Sequence, residues 1–273
     1  MIFQTIDNVT FRMKEEYDFS FLSRYGKVFR VFDDQDSGNI CFGVSDGTRK
    51  LFIKFAGAKT AEYTGSPEDA AERLRSVVPL YREIHSEHLI KLIDTLETGG
   101  GYAVIFEWAE GECMARMYPD EHRSIMSLPA DIKLGIFSDV TAFLKDVHRQ
   151  GYMAIDFYDG SIMYDRQTNR TTICDIDFFR KKPCVNDMGR MWGSARFLSP
   201  EEYIFGAELD EVTNVFTLGK TGFSLFTDSN EDAGAFPLDM RYYDILRKAV
   251  SEKREDRYPS VAAFESAWQK ACI

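Results

Sequence analysis

The sequence is short of the features that mark several large protein classes. Its five cysteines, Cys41, Cys113, Cys174, Cys184 and Cys272, are an odd number with no C-x-x-C pair. That argues against a disulfide framework or a cysteine-based zinc site and predicts reduced thiols in a cytosolic setting. No run of about 18 apolar residues is present, and no basic start leads into an apolar stretch, so neither a membrane span nor a signal peptide is expected. Positive charge is also scarce: 33 Lys and Arg face 44 Asp and Glu, a net charge of −11. This balance argues against nucleic acid or an anionic membrane as the main partner and serves solubility. Repeats and low-complexity linkers are lacking too, so domain division has to be read from secondary structure.

What is present is ordinary for a globular chain, with 44% hydrophobic and 28% charged residues over 273 positions. Such a length buries a large core, as one domain of two lobes or as two small domains. Residues 27–57 read as three strands, Lys27–Phe32, Ile40–Val44 and Leu51–Phe55, separated by turn-rich Asp, Ser, Gly and Asn residues. Ser66-Pro67-Glu68-Asp69 opens a helix: Ser66 as N-cap, Pro67 at the first helical position, an acid closing a capping box. Leu74, Val77, Val78 and Tyr81 continue it at helical spacing, with a bend expected at Pro79. Strands resume at Leu89–Glu97 and Tyr102–Trp108. Ile132, Ile136, Val140, Phe143, Leu144 and Val147 then form the apolar stripe of a long helix over 130–149, and from about residue 199 the pattern is mostly helical. The first 25 residues carry Phe3, Ile6, Val9, Phe11, Phe19, Phe21 and Leu22, enough apolar surface to pack on the strands or to form a dimer contact.

Two carboxylates stand out. Asp156 lies in Ala154-Ile155-Asp156-Phe157-Tyr158-Asp159-Gly160-Ser161, and Asp177 follows the β-like run Thr171–Ile176, with a short hairpin between them. Acids brought together by a turn suit phosphoryl transfer, one orienting a hydroxyl and the other holding Mg²⁺. Asp175, two residues earlier on the same strand face as Asp177, reads as structural. Upstream, Lys54 sits between apolar Phe52, Ile53 and Phe55, where an ammonium needs an anion or open water.

In order along the chain, these segments resemble the eukaryotic-type protein kinases, in particular the small bacterial Ser/Thr members, over roughly residues 26–270. Leu51-Phe52-Ile53-Lys54 is similar to the V-A-I-K strand, Ile155-Asp156 to the end of H-R-D, and Asp177-Phe178-Phe179 to D-F-G. Ser199-Pro200-Glu201 resembles A-P-E, Val215-Phe216-Thr217-Leu218-Gly219 the buried D-V-x-S-L-G helix, and Glu255-Asp256-Arg257-Tyr258 the closing D-P-x-x-R-Y segment. The resemblance implies an α+β, bilobal kinase-like fold: an extension over 1–25, a β-rich lobe over 26–108 and a helical lobe over 109–273. It also implies a cytoplasmic, ATP- and Mg²⁺-dependent protein Ser/Thr kinase with a protein substrate and no nucleic-acid or membrane partner. Oligomeric state and the particular substrate stay open.

Carried over residue by residue, the resemblance makes Asp156 catalytic and Asp177 and Ser161 metal-binding. It assigns Lys54, Ile40, Glu107, Ala109, Met163 and Glu72 to ATP, with Glu107 and Ala109 acting through backbone groups. Glu72 substitutes for a helix glutamate whose aligned position holds Val77. Glu201 and Arg257 are expected to form a buried ion pair.

Departures from the pattern keep two other readings open. The expected phosphate loop, Phe32 to Gly38, has one glycine and three aspartates, and Phe52 fills a position that is normally small. Tyr158 replaces a lysine. The acidic loop and Phe52, with Ser161 at a position where the family has a metal-binding Asn and the missing helix Glu, point to a pseudokinase scaffold, whereas Asp159-Gly160-Ser161-Ile162-Met163 parallels small-molecule phosphotransferases of the aminoglycoside type. Residues 178–193 contain no Ser, Thr or Tyr, and Ile155 replaces a phosphate-clamping Arg, so switching by phosphorylation of this segment is expected to be absent.

Overall fold

The structure, a computed structural model, describes residues 1–271, leaving Cys272 outside the described residues. The chain divides into two compact units. The first comprises Met1–Glu83 and Ile90–Ala109, and the second comprises Ile84–Leu89 and the chain from Glu110 onward.

The first unit is rich in β-structure. Strands β1 (Ile2–Ile6) and β2 (Val9–Met13) form a hairpin that pairs Ile6 with Val9. Its turn residues Asp7 and Asn8 have φ of 48° and 70°, the left-handed region that Asp and Asn tolerate and that two-residue hairpin turns require. Next come β3 (Lys27–Phe32), β4 (Asn39–Ser45), β5 (Lys50–Ala56), helix α1 (Pro67–Glu83), β6 (Leu92–Thr98) and β7 (Gly101–Glu107). The five later strands make one antiparallel sheet ordered β3-β4-β5-β7-β6. Helix α1 starts where Ser66 Oγ accepts the Asp69 amide, and it runs through Pro79 to Glu83.

Alternation sorts the strand side chains between two faces. Ile40, Phe42, Val44, Leu51, Ile53 and Phe55 bury in one cluster with Phe11, Met13, Phe19 and Leu22. Residues 1–25 therefore pack on the sheet. Burial of each such side chain is worth roughly 1.5–3 kcal/mol, so the segment is a structural part of this unit. On the other face α1 lays Tyr81 against Phe106, ring centroids 4.8 Å apart.

The second unit is mainly helical. In chain order it holds β8 (Glu112–Cys113), α2 (Pro119–Met126), α3 (Ala130–Arg149), β9 (Tyr152–Met153), β10 (Ile162–Asp165), β11 (Arg170–Ile173), β12 (Arg180–Lys181), β13 (Cys184–Val185), β14 (Glu208–Leu209), α4 (Glu211–Thr227), α5 (Met240–Ala249) and α6 (Val261–Ala271). Helix α3 buries Ile136, Val140, Phe143, Leu144 and Val147, the stripe read from the sequence. Helix α4 is buried on nearly all sides. Gly219 lets α5 approach it, since a Cβ there would meet the Val250 side chain at 2.5 Å. Among the described residues no helix is long and apolar enough to cross a membrane, and Cys41, Cys113, Cys174 and Cys184 are thiols rather than disulfides.

Candidate active site

In the second unit, the chain leaving α3 turns at Gly151 (φ 82°) and enters β9, which pairs with β12. Asn214 of α4 then grips the backbone at Ala154: its Oδ1 accepts the Ala154 amide at 3.0 Å and its Nδ2 donates to the Ala154 carbonyl at 2.8 Å. Two residues on, Asp156 has φ 57°, a left-handed conformation that costs a non-glycine residue about 1–2 kcal/mol and persists only where its surroundings fix it. Those surroundings include Gly193, where an added Cβ would lie 3.3 Å from Asp156 Oδ1. Phe157 beneath is buried against Phe143.

Tyr158 reports what lies around it. Burial first, then the negative charges of Asp175 and Asp156, push its hydroxyl well above the ordinary tyrosine range. The Cys113 thiol and the Asp159 carboxylate add smaller contributions of the same sign. Asp159 is fully buried and held by Arg196 in a bidentate pair at 2.8 and 3.0 Å, with Ser224 as a further donor. Ser161 is 0% exposed and its Oγ has no hydrogen-bond partner, an orphan worth roughly 1–3 kcal/mol.

The hairpin expected between the acids is β10–β11, with Ile162 opposite Ile173, and the Cys174 amide closes it on the Ser161 carbonyl at 2.9 Å. The strand stops at Ile173. Beyond it Asp175 is exposed, Ile176 is buried, Asp177 is half-buried and Phe178 is exposed. Asp177 donates its amide to Asp175 Oδ1 at 3.2 Å. Strand alternation does not continue past Ile173, and the exposed carboxylate followed by a buried apolar residue is Asp175.

The remaining wall is the segment up to Tyr203. Arg257, fully buried, meets Glu201 through two parallel bonds at 2.7 and 3.1 Å. Burial pushes the Glu201 carboxyl up, but the Arg257 hydrogen bonds and charge outweigh it and hold it below the usual range. The pair expected from the sequence is present.

The neighbouring Glu202 behaves in the opposite way. Its Oε2 accepts from the Ser199 amide and hydroxyl at 2.7 and 2.8 Å, yet burial and the Glu201 charge raise it to about 7. Buried His148, Nε2 on Asn214 Oδ1 at 2.8 Å, is lowered to about 4 by burial and then by Lys182. Glu202 therefore contributes stability that is full below its unfolded value of 4.5 and is lost as pH rises through about 7. His148 contributes stability that is full above 6.5 and is lost as pH falls through about 4. Each is worth roughly 3 kcal/mol, and the two slopes oppose each other. Glu202→Gln is expected to gain that amount on wild type between pH 4.5 and 7.5 in denaturant titrations, and parallel curves for the two proteins would refute the assignment.

In the first unit, Lys54 is 8% exposed and pairs across the sheet with Cys41 and Val104. Ile40 lies on the opposite face, in the cluster covered by residues 1–25; one residue along a strand reverses the face. Glu72 points outward from α1, 74% exposed, with its carboxylate on Arg75 at 2.5 Å. Glu107 ends β7 and Ala109 lies two residues beyond it, and the Glu107 amide bonds to the Lys91 carbonyl. Met163, in the second unit, is half-buried on β10 opposite Thr172 and Cys113. The acidic loop after β3 is partly neutralised, because Arg12 binds Asp33 through its amide at 2.6 Å and its guanidinium at 3.1 Å. Aromatic rings crowd this sheet: Phe52 lies 5.8 Å from Phe32 and 6.4 Å from Trp108.

Among the described residues no group of three or more His, Cys, Asp or Glu side chains is disposed to hold a metal. Mg²⁺ bound with a nucleotide needs only one or two carboxylates, the phosphates supplying further oxygens. Exposed Asp175 is a carboxylate of that kind, and the Ser161 hydroxyl, buried and without a partner, is a further hard oxygen.

Comparison with curated proteins finds the chain 23% identical over 203 residues to the serine/threonine-protein kinase PksC of Streptomyces coelicolor. The match covers 71% of this chain and 36% of PksC, so the chain spans about a third of that relative's length. No protein-family model matches the chain. The chain is thus distantly similar to a protein kinase.

Proposed function

We propose that the chain is an ATP- and Mg²⁺-dependent protein Ser/Thr kinase with a bilobal kinase-like fold, the first unit serving as its small lobe and the second as its large lobe. The observation that carries this reading is Asp156, held at φ 57° beside a backbone gripped by Asn214 and faced by Gly193, with the β10–β11 hairpin between it and exposed Asp175. Distant similarity to PksC supports it. Asp156 orients the acceptor hydroxyl and takes its proton. Asp175, with Ser161, holds the metal, a role the sequence pattern gave to Asp177. Mg²⁺ held by these residues would supply positive charge against the phosphates. The nucleotide roles of Lys54, Glu107, Ala109 and Met163 are carried over from the family resemblance. On β4, Cys41 and Gly43 replace Ile40 in that set, because they share the face of Lys54. Glu72 leaves it, its carboxylate being taken by Arg75. Protein rather than small-molecule acceptors fit the buried Glu201–Arg257 pair, which anchors a segment that small-molecule kinases usually lack.

One observation favours a second reading, a pseudokinase scaffold: Phe32, Phe52 and Trp108 narrow the sheet face that carries Lys54. Transfer of labelled γ-phosphate with Mg²⁺ separates the readings, using the protein itself, a basic protein and an aminoglycoside panel as acceptors. Label on protein is the expected result. Label on the aminoglycosides alone indicates a small-molecule phosphotransferase, and no label despite stabilisation by ATP indicates the scaffold.

A further inference from the structure

Residues 178–193 contain little regular structure, only the two-residue strands β12 and β13, yet they deliver Gly193 to Asp156. Asn186 is the residue about which this segment is organised. It is 0% exposed, and all of its polar groups are engaged. Its amide donates to the Ala207 carbonyl at 2.9 Å and its carbonyl accepts from Gly206 at 2.7 Å. Oδ1 accepts the amides of Met188 at 3.0 Å and Gly189 at 2.8 Å. Nδ2 donates to the carbonyls of Gly189 at 2.8 Å, Glu202 at 2.9 Å and, longer, Glu201 at 3.4 Å. The Met191 amide adds a bond to the Glu202 carbonyl at 2.9 Å. The segment's Cys184 and Met191 join Met153, Ile155 and Leu209 in an apolar cluster, none more than 5% exposed, in which Ile155 is the immediate neighbour of Asp156.

We propose that Asn186 is a positioning residue: it fastens residues 184–193 to the Glu201–Glu202 backbone and so seats Gly193 on Asp156 without any covalent modification of the segment. The side chain is specific to the task. Asp in its place offers no donor and sets a negative charge against carbonyl oxygens, and Ala offers neither donor nor acceptor. The consequence for activity rests on the kinase reading above, whereas the consequence for the segment does not.

The test is hydrogen exchange on the full chain, wild type beside Asn186→Ala, read in peptides spanning 186–192 and, as a reference, α4. Loss of these buried bonds is expected to speed exchange in 186–192 about 100-fold or more and to leave α4 unchanged. In γ-phosphate transfer, kcat is expected to fall about tenfold or more with KM for ATP within about twofold, since the residues assigned to ATP lie outside the segment. Unchanged exchange in 186–192, or an equal rise in α4, overturns the proposal, as does unchanged kcat in a variant whose segment has opened. If wild type transfers no phosphate, the kinase reading fails and the exchange result alone decides the role of Asn186. Should Asn186→Ala not fold, Asn186→Ser, which retains one donor and one acceptor, takes the same test.

Discussion

Arg257→Ala is expected to cost the second unit roughly 3 kcal/mol. Removing one partner of a buried ion pair strands the other charge, typically at about 3–5 kcal/mol. Glu201 keeps part of its compensation, because Arg254 reaches its Oε1 at 2.7 Å and Thr213 donates to the same atom at 2.9 Å, which places the estimate at the lower end. Arg257 also lies over the Phe216 ring at 4.8 Å and donates to the Ser251 and Glu252 carbonyls, so Arg257→Lys, lacking the planar fork, restores little. Glu201→Gln is expected to cost less than Arg257→Ala, because the buried guanidinium retains its carbonyl acceptors. Urea titration measures these differences. A loss below about 1 kcal/mol for Arg257→Ala would show that the pair is not an anchor of the 199–203 segment.

Asp175→Ala is expected to lower phosphate transfer on the order of 10³-fold, whereas Asp177→Ala retains most of it. Loss of a metal ligand removes several kcal/mol of charge stabilisation, and each 1.36 kcal/mol is tenfold in rate. The distinction rests on two observations: Asp175 is exposed and Ile176 after it is buried, and the Asp177 amide serves Asp175. Because Asp177 contributes that amide through its backbone, truncating its side chain leaves the bond in place. Transfer assays on the two variants read the difference directly, and inactivation by Asp177→Ala alone would return the metal role to Asp177.

The sequence disclosed features whose cause is local or periodic. Helix α3 followed from its apolar stripe, the start of α1 from Ser66 and Pro67, and the Glu201–Arg257 contact from residue types inside recognisable segments. It misled where a period was extended or a phase assumed. Strand alternation was carried past Ile173, where the strand has ended, so the strand face expected to be shared by Asp175 and Asp177 is not found. Ile40 was misplaced by one residue of register, which reverses a strand face, and Glu72 by the phase of α1. Asn186 was passed over: its bonds to Met188 and Gly189 are the local turn chemistry common to Asn in loops, and its partners at Ala207 and Glu202 are distant in sequence. The β1–β2 hairpin was legible and missed: Asp7-Asn8 between Ile6 and Val9 is turn chemistry between two strand-like runs.

The central claim, that Asp156 accepts the proton of an attacking hydroxyl, is tested most directly by γ-phosphate transfer with Asp156→Asn beside wild type. Asn tolerates the left-handed backbone found at this position and keeps the size of the side chain, but it does not accept the proton. The account predicts transfer by wild type, none above background by the variant, and an unchanged melting temperature. Transfer by Asp156→Asn at a rate near that of wild type would contradict it.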